Sequence, residues 1–283
     1  MQGLPAIKPQ PQKLPGPLDL PTSLERFRRW GDDLIDRWDG RIWRRARPIP
    51  FASEVVGRDT VELVDGEPID LAEMIVQEPL AALARRDPVI ARVNRAHPGL
   101  RPILERDPFT AIVRAISAQQ VNLKWACTTR RRLVTTFGRR LDLAGDEVWA
   151  LDAGRLATTD PAEIRALQFT TRKAEFIVAA ARAAANGDLA LDSFNGQSDD
   201  EVIDRLIKLP GVGRWTAEWF LARTLGRPVV AAGDLGVRKA VGIAYFEGRM
   251  PSEAEVRAAT AHWGKAAGVA QQLLLHGLGE GTL

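Results

Sequence analysis

Between Asp199 and Lys239 the chain contains a break that leaves few options for what surrounds it. Val202, Ile203, Leu206 and Ile207 fall on one helical face, Leu209-Pro210-Gly211-Val212-Gly213 cannot continue that helix, and Thr216-Ala217 lies inside the next. Two helices joined this tightly form a helix-hairpin-helix over residues 199–225. Glycines on either side of Val212 let the backbone turn sharply, so that amide N–H groups at the start of the second helix point outward at one anion. A nucleic-acid phosphate is the anion expected. As a bare pattern, Pro-Gly-x-Gly also serves as a plain turn between bundle helices, and both readings stand at this level.

The rest of the chain agrees with a mostly helical protein. Its 283 residues are enough for two or three packed subdomains. Residues 1–21 hold six prolines and read as an extended, flexible leader. Residues 22–77 read as a small α+β subdomain: Leu24, Phe27, Leu34, Ile35 and Trp38 have helix-like spacing, then short β-prone runs follow, separated by Gly and Asp. Beyond residue 73 strand signals nearly vanish, and residues 78–283 read as a bundle of about nine or ten helices. No apolar run reaches the ~20 residues a membrane helix needs, and no secretory apolar segment is visible. The single cysteine, Cys127, cannot form an intrachain disulfide or a four-cysteine iron–sulfur cluster, and His97, His262 and His276 are too scattered for a zinc site. A cytoplasmic protein without a transition metal is the expectation.

Charge narrows the class of partner. The formal net charge is only +3, but 32 of the 39 basic residues are arginine, the side chain suited to phosphate. The excess is clustered. Residues 101–140 carry nine basic and two acidic side chains, and residues 205–239 carry seven basic and two acidic. Two basic islands on a near-neutral chain suggest a nucleic-acid footprint, against the alternative that arginine-rich helices are simply solvated faces.

Gly233-Asp234-Leu235-Gly236 follows the hairpin by some twenty residues and precedes a helix through Val237, Ala240 and Val241. Asp234 is placed to cap that helix, and a cap also aims a carboxylate. LPGVGRWTAEWFLARTLGRP followed by AAGDLGVRKA resembles the hairpin and catalytic-aspartate region of the helix-hairpin-helix DNA glycosylases, most closely the bacterial 3-methyladenine DNA glycosylases of the AlkA type. The similarity continues upstream through DPVIARVNRAHPGLRPILERDPFTAIVRAISAQQVN and covers residues 80–278; the N-terminal α+β segment matches more weakly.

The resemblance implies a two-lobed helical bundle with a small N-terminal antiparallel sheet, acting on double-stranded DNA that contains alkylated bases, as a monomer in the bacterial nucleoid. It implies that Asp234, in a loop over residues 229–238, is the catalytic carboxylate, and that Trp215, Trp219 and Gln119 line the base pocket. Leu209, Gly211, Val212, Gly213, Arg214 and Thr216 would meet the DNA backbone, with Gln120 as the wedge that fills the gap left by a flipped nucleotide. A monovalent cation, Na or K, would sit on the carbonyls of Ile207, Leu209 and Val212. Trp215 and Trp219 are four apart and share a helical face; such pairs are often plain core. Trp263 and Trp125 are further candidates for closing the slot. The aromatic residue that the family carries before its last helix has no clear counterpart in HWGKAAGVAQQLLLH. Bifunctional relatives place a lysine nucleophile where this chain has Trp215, so no Schiff base and no strand cleavage are expected. Two rival readings remain: a non-catalytic helix-hairpin-helix DNA-binding protein, and a glycosylase of the same fold acting on mismatched or oxidised bases.

Overall fold

The computed structural model describes residues 11–78 and 80–283. The N-terminal subdomain is a five-stranded antiparallel sheet built from β1 (Gln12–Lys13), β2 (Asp36–Trp38), β3 (Ile42–Arg45), β4 (Phe51–Val55) and β5 (Thr60–Gly66), in the order β1-β5-β4-β3-β2. Trp43 and Phe51 meet edge to face with ring centroids 5.0 Å apart, and Val61, Leu24 and Phe27 complete the core beneath them.

Two expectations are corrected here. Residues 11–21 are not a flexible leader: β1 pairs with β5, and Leu14, Leu18 and Leu20 are buried in the sheet's core. The expectation for residues 1–10 lies outside the described residues. The helical spacing over 22–38 yields only the short α1 (Leu20–Leu24) and one tight turn, Glu25–Phe27. Gly31 has φ +119°, and the Asp32 and Asp33 carboxylates accept the amides of Leu34 and Ile35. Such local side-chain to backbone bonds compete with a helix, and the chain re-emerges as β2.

From Leu80 the chain is helical: α2 (Leu80–Arg86), α3 (Pro88–Ala96), α4 (Pro108–Ala118), α5 (Leu123–Phe137), α6 (Ala153–Thr158), α7 (Pro161–Ala166), α8 (Thr171–Ala185), α9 (Asp199–Leu206), α10 (Arg214–Arg223), α11 (Leu235–Tyr245), α12 (Glu253–Thr260) and α13 (Ala267–Glu280). Their ends carry the expected stop and start chemistry. Asp87 caps α3 ahead of Pro88, and Ser198 with Glu201 and Ser252 with Glu255 form reciprocal capping boxes on α9 and α12. One hairpin interrupts them: β6 (Arg139–Leu143) and β7 (Asp146–Ala150), turning through Ala144 and Gly145, both at positive φ. This pair corrects the expectation that strands end near residue 73.

The helices divide between two apolar cores. Side chains from α4 to α10 fill one, and side chains from α2, α3 and α11 to α13 fill the other. The sheet docks on α4 and α5 through buried ions. Arg114 reaches Asp33 (2.9 Å), Asp36 (3.0 Å) and Glu105 (3.3 Å), Arg130 reaches Asp33 (2.8 Å), and Arg45 pairs with Asp36. Burial and then the Asp36 carboxylate push Glu105 up to about 8. α10 belongs to the first core through Ala217, Phe220 and Leu221, whereas Trp219 on the same helix packs against the second. That seam between lobes is where Asp234 lies.

Candidate active site

α9 ends at Leu206 with Ile207 as its C-cap, and the chain reverses with the Val212 amide donating to the Leu209 carbonyl at 3.0 Å. Gly211 has φ +80°, and a Cβ there would stand 2.1 Å from the Phe176 ring. Gly211 therefore serves both the turn and the seating of the hairpin on α8. Gly213 differs: its φ is an ordinary −97°, a Cβ there meets nothing within 4 Å, and no side chain caps α10. The first turn of α10 thus has no side-chain cap, which leaves its N-terminus available to an anion.

The side chains of the hairpin divide between inside and outside. Arg214 is exposed and donates to Glu218 at 3.0 Å, while Leu209 is half-buried against the first core. Val212 and Thr216 are buried, so they offer backbone and not side chain to a ligand. Gln119 is brought to the hairpin itself, its Nε2 donating to the Gly211 carbonyl at 2.8 Å. This contact ties the α4–α5 turn to the hairpin, a role the spacing gave no hint of. Gln120, next in the chain, is exposed at φ +55°, with exposed Val121, Leu123 and Trp125 beyond it.

α10 then delivers its two indoles to the aspartate. Trp215 Nε1 donates to Asp234 Oδ2 at 3.0 Å and Trp219 Nε1 to the same oxygen at 3.2 Å. The other oxygen, Oδ1, accepts the Val237 amide at 2.9 Å, the N-cap bond that starts α11. The loop is fixed from behind by Gln271, whose Oε1 accepts the Ala231 amide at 2.8 Å. Capping and aiming are thus one arrangement: three N–H donors hold a half-buried carboxylate at the lobe seam. The resemblance placed Trp215 and Trp219 in the base pocket, while the sequence held no sign of where their N–H groups point. It also missed Arg223, one turn further along α10, whose guanidinium lies 4.7 Å from the Trp219 ring centroid and covers that face. The repeat of four from 215 through 219 to 223 was the available signal.

Two expected wall residues are elsewhere. Trp263 is buried in the second core with its N–H directed at the Tyr245 hydroxyl, 3.3 Å away, and Trp125 lies exposed on α5 beneath Arg132. From α13 the side chain reaching toward α10 is Gln272, which accepts from Arg223. Among the described residues no group of three or more His, Cys, Asp or Glu is placed to hold a metal. The carbonyls of Ile207, Leu209 and Val212 are neutral oxygens, a donor set suited to an alkali cation and not to a transition metal, and one lone pair of Leu209 is already engaged.

A helical two-lobed fold with a hairpin at one lobe and a capped aspartate at the seam defines a class. The family model for HhH-GPD superfamily base excision DNA repair proteins matches residues 113–266, more than half of the chain, and the chain belongs to that family. The chain is 28% identical over 187 residues to the DNA-3-methyladenine glycosylase of Bacillus subtilis (strain 168), covering 65% of this chain and 62% of that protein. It is 34% identical over 134 residues to DNA-3-methyladenine glycosylase 2 of Escherichia coli (strain K12), covering 47% of each. The matched stretches thus span about half to three-fifths of these relatives. In fold, the chain superposes on a 3-methyladenine DNA glycosylase from Archaeoglobus fulgidus with a TM-score of 0.82 at 23% identity, covering 95% of this chain and 98% of the other. A 3-methyladenine DNA glycosylase from Schizosaccharomyces pombe, solved with abasic DNA, superposes with a TM-score of 0.59 at 22% identity, covering 69% of this chain and 94% of the other.

Proposed function

We propose that this protein is a monofunctional DNA N-glycosylase that removes alkylated purines, of the 3-methyladenine type, from double-stranded DNA. The observation that carries the reading is the Asp234 carboxylate, held at the lobe seam by two indole N–H groups and a backbone amide, on the helix following the uncapped hairpin. DNA binding alone needs no such carboxylate. The amides from Gly213 onward take a backbone phosphate, with an alkali cation on the carbonyls of Ile207, Leu209 and Val212 adding positive charge at the same turn. Gln120 enters the duplex as the target nucleotide leaves it, at a cost of a few kcal/mol that is least where a lesion has weakened pairing.

Breaking the C1′–N bond develops oxocarbenium character on the sugar, and the negative charge of Asp234 beside it stabilises that state. Water adds to C1′, giving a free base and an abasic site. An alkylated, cationic purine is already a good leaving group and needs little general acid. Trp215 stands where the bifunctional enzymes have an amine, so no covalent sugar adduct forms. The enzyme works as a monomer on chromosomal DNA in the cytoplasm.

Mass spectrometry of bases released from methylated DNA tests the reading directly. Alkylpurines are expected, with the abasic product uncut until alkali is added and no adduct trapped by borohydride. Binding without release would leave a DNA-binding protein; release of oxidised bases instead would name the other branch of the family.

A further inference from the structure

We propose that Arg223 is a positioning residue of the site: stacked on the Trp219 ring and anchored to α13, it holds that indole at the rotation in which its N–H donates to Asp234. The proposal rests on the glycosylase reading above and adds to it a residue that acts through Trp219.

An indole has one N–H, at one edge of its ring, so only a narrow range of side-chain rotation brings it onto a given acceptor. Trp219 faces a further demand. Its N–H shares Asp234 Oδ2 with the N–H of Trp215, at 3.2 and 3.0 Å. Two hydrogens of like partial charge converging on one oxygen repel each other, and either ring gains by turning away unless something holds it. What holds Trp219 is Arg223, one turn further along α10, whose guanidinium carbon lies 4.7 Å from the ring centroid, inside the range of a cation–π contact.

Arg223 is itself fixed at both ends. Its backbone carbonyl accepts the Glu105 amide at 2.8 Å, and its guanidinium donates to Oε1 of Gln272, a buried residue of α13. The residue before it on α13, Gln271, is also buried and accepts the Ala231 amide at 2.8 Å, three residues ahead of Asp234. Consecutive glutamines of one helix therefore fix both the loop that carries the acceptor and the arginine that braces the donor ring.

The charge is part of the device. The two side-chain partners of Arg223, an indole ring and a carboxamide, are both uncharged. Burial, and then the positive charge of Arg26, push its guanidinium well below the ordinary arginine range, while the charge of Asp234 opposes this. Keeping a cation there is costly, and a chain that needed only a cover for the Trp219 ring could use leucine or methionine. A guanidinium over the face does what they cannot: it draws π density from the ring and makes the N–H at its edge a stronger donor to Asp234.

The test combines a spectroscopic signature with a double-mutant cycle. In proton–nitrogen correlation spectra of the indole groups, the Trp219 signal is assigned by its loss in Trp219→Phe. Arg223→Met keeps an apolar stem over the ring and removes the charge. It is expected to move the Trp219 signal upfield as the bond to Asp234 weakens, and to slow single-turnover release of 3-methyladenine at saturating methylated DNA about fivefold. Affinity for the lesion duplex is expected to change no more than about twofold. Arg223→Lys recovers most of the rate. Because Arg223 acts through Trp219, Arg223→Met adds little to Trp219→Phe when the two are combined. Gln272→Leu, which frees the guanidinium from α13, moves signal and rate in the same direction and serves where Arg223→Met does not fold. An unmoved Trp219 signal overturns the proposal, as do rate losses that multiply in the double variant. A wild type that releases no alkylpurine overturns the glycosylase reading, and the indole signal then still decides the role of Arg223 without turnover.

Discussion

At the scale of single residues, three N–H donors surround one carboxylate, Asp234. Asp234 was legible as a cap from the Gly-Asp-Leu-Gly pattern, while its catalytic role is the proposal that the resemblance suggests. The direction of the tryptophan N–H groups was not legible, because spacing along a helix says which side chains share a face and not how an indole is rotated. If Trp215 and Trp219 served only as stacking surfaces, phenylalanine would replace either with little loss. With both donating to Asp234 Oδ2, Trp219→Phe keeps a ring but removes one donor to a charged group, worth about 1.5 kcal/mol or more, and single-turnover excision is expected to fall about tenfold. A Phe variant that excises at the wild-type rate, with an unchanged melting temperature, would return Trp219 to a packing role.

At the scale of elements, the hairpin glycines separate into two jobs that the sequence treated as one. Gly211→Ala forces a Cβ into the Phe176 ring from a left-handed backbone, so the expected result is a melting temperature lowered by several degrees and weaker DNA binding as a consequence. Gly213→Asp meets open space and is expected to fold normally. It then sets a carboxylate where a phosphate would sit, weakening binding to every DNA sequence alike, measured at fixed salt. Normal affinity of that variant would remove the hairpin from the interface. The helices were readable because their caps and apolar faces repeat over several turns. The β6–β7 hairpin was not: its buried apolar residues are few, Leu143, Val148 and Ala150, and Arg139, Arg140 and Asp142 ahead of them are polar. The apolar spacing from Leu24 to Trp38 failed for a different reason, since two aspartates and Gly31 redirected the backbone locally.

At the scale of the molecule, the basic islands prove to be partly internal. Arg114 and Arg130 from the first island pair with Asp33 and Asp36 under the sheet, and Arg227 from the second pairs with Asp199 at 2.7 Å. Charge counted along a sequence cannot distinguish an arginine that meets DNA from one that joins two subdomains. The surface share is carried by residues such as Lys124, Arg131, Lys208 and Lys239, which are exposed. A half-buried acid, Glu78, stands at the start of α13. Burial raises Glu78 from 4.5 to about 7, although it accepts amides at the start of α13. Its folded value lies above its unfolded one, so its contribution to stability is full below about pH 4.5 and is lost as pH rises through about 7. Glu78→Gln mimics the protonated form; its melting temperature relative to wild type is expected to rise across that interval, and a difference that stays flat with pH would contradict the assignment.

These scales meet in the Asp234→Asn variant. Asparagine caps helices as well as aspartate does and is nearly the same size, so the substitution removes the charge and, with its oxygen kept on the Val237 amide, turns an N–H2 group toward the two indole N–H donors. If that charge stabilises the oxocarbenium-like transition state, single-turnover excision of an alkylated purine from duplex DNA falls at least about 100-fold, near 3 kcal/mol, while affinity for the lesion duplex changes far less. A folded Asn variant that excises within a few-fold of wild type would contradict the catalytic assignment and leave Asp234 a helix cap.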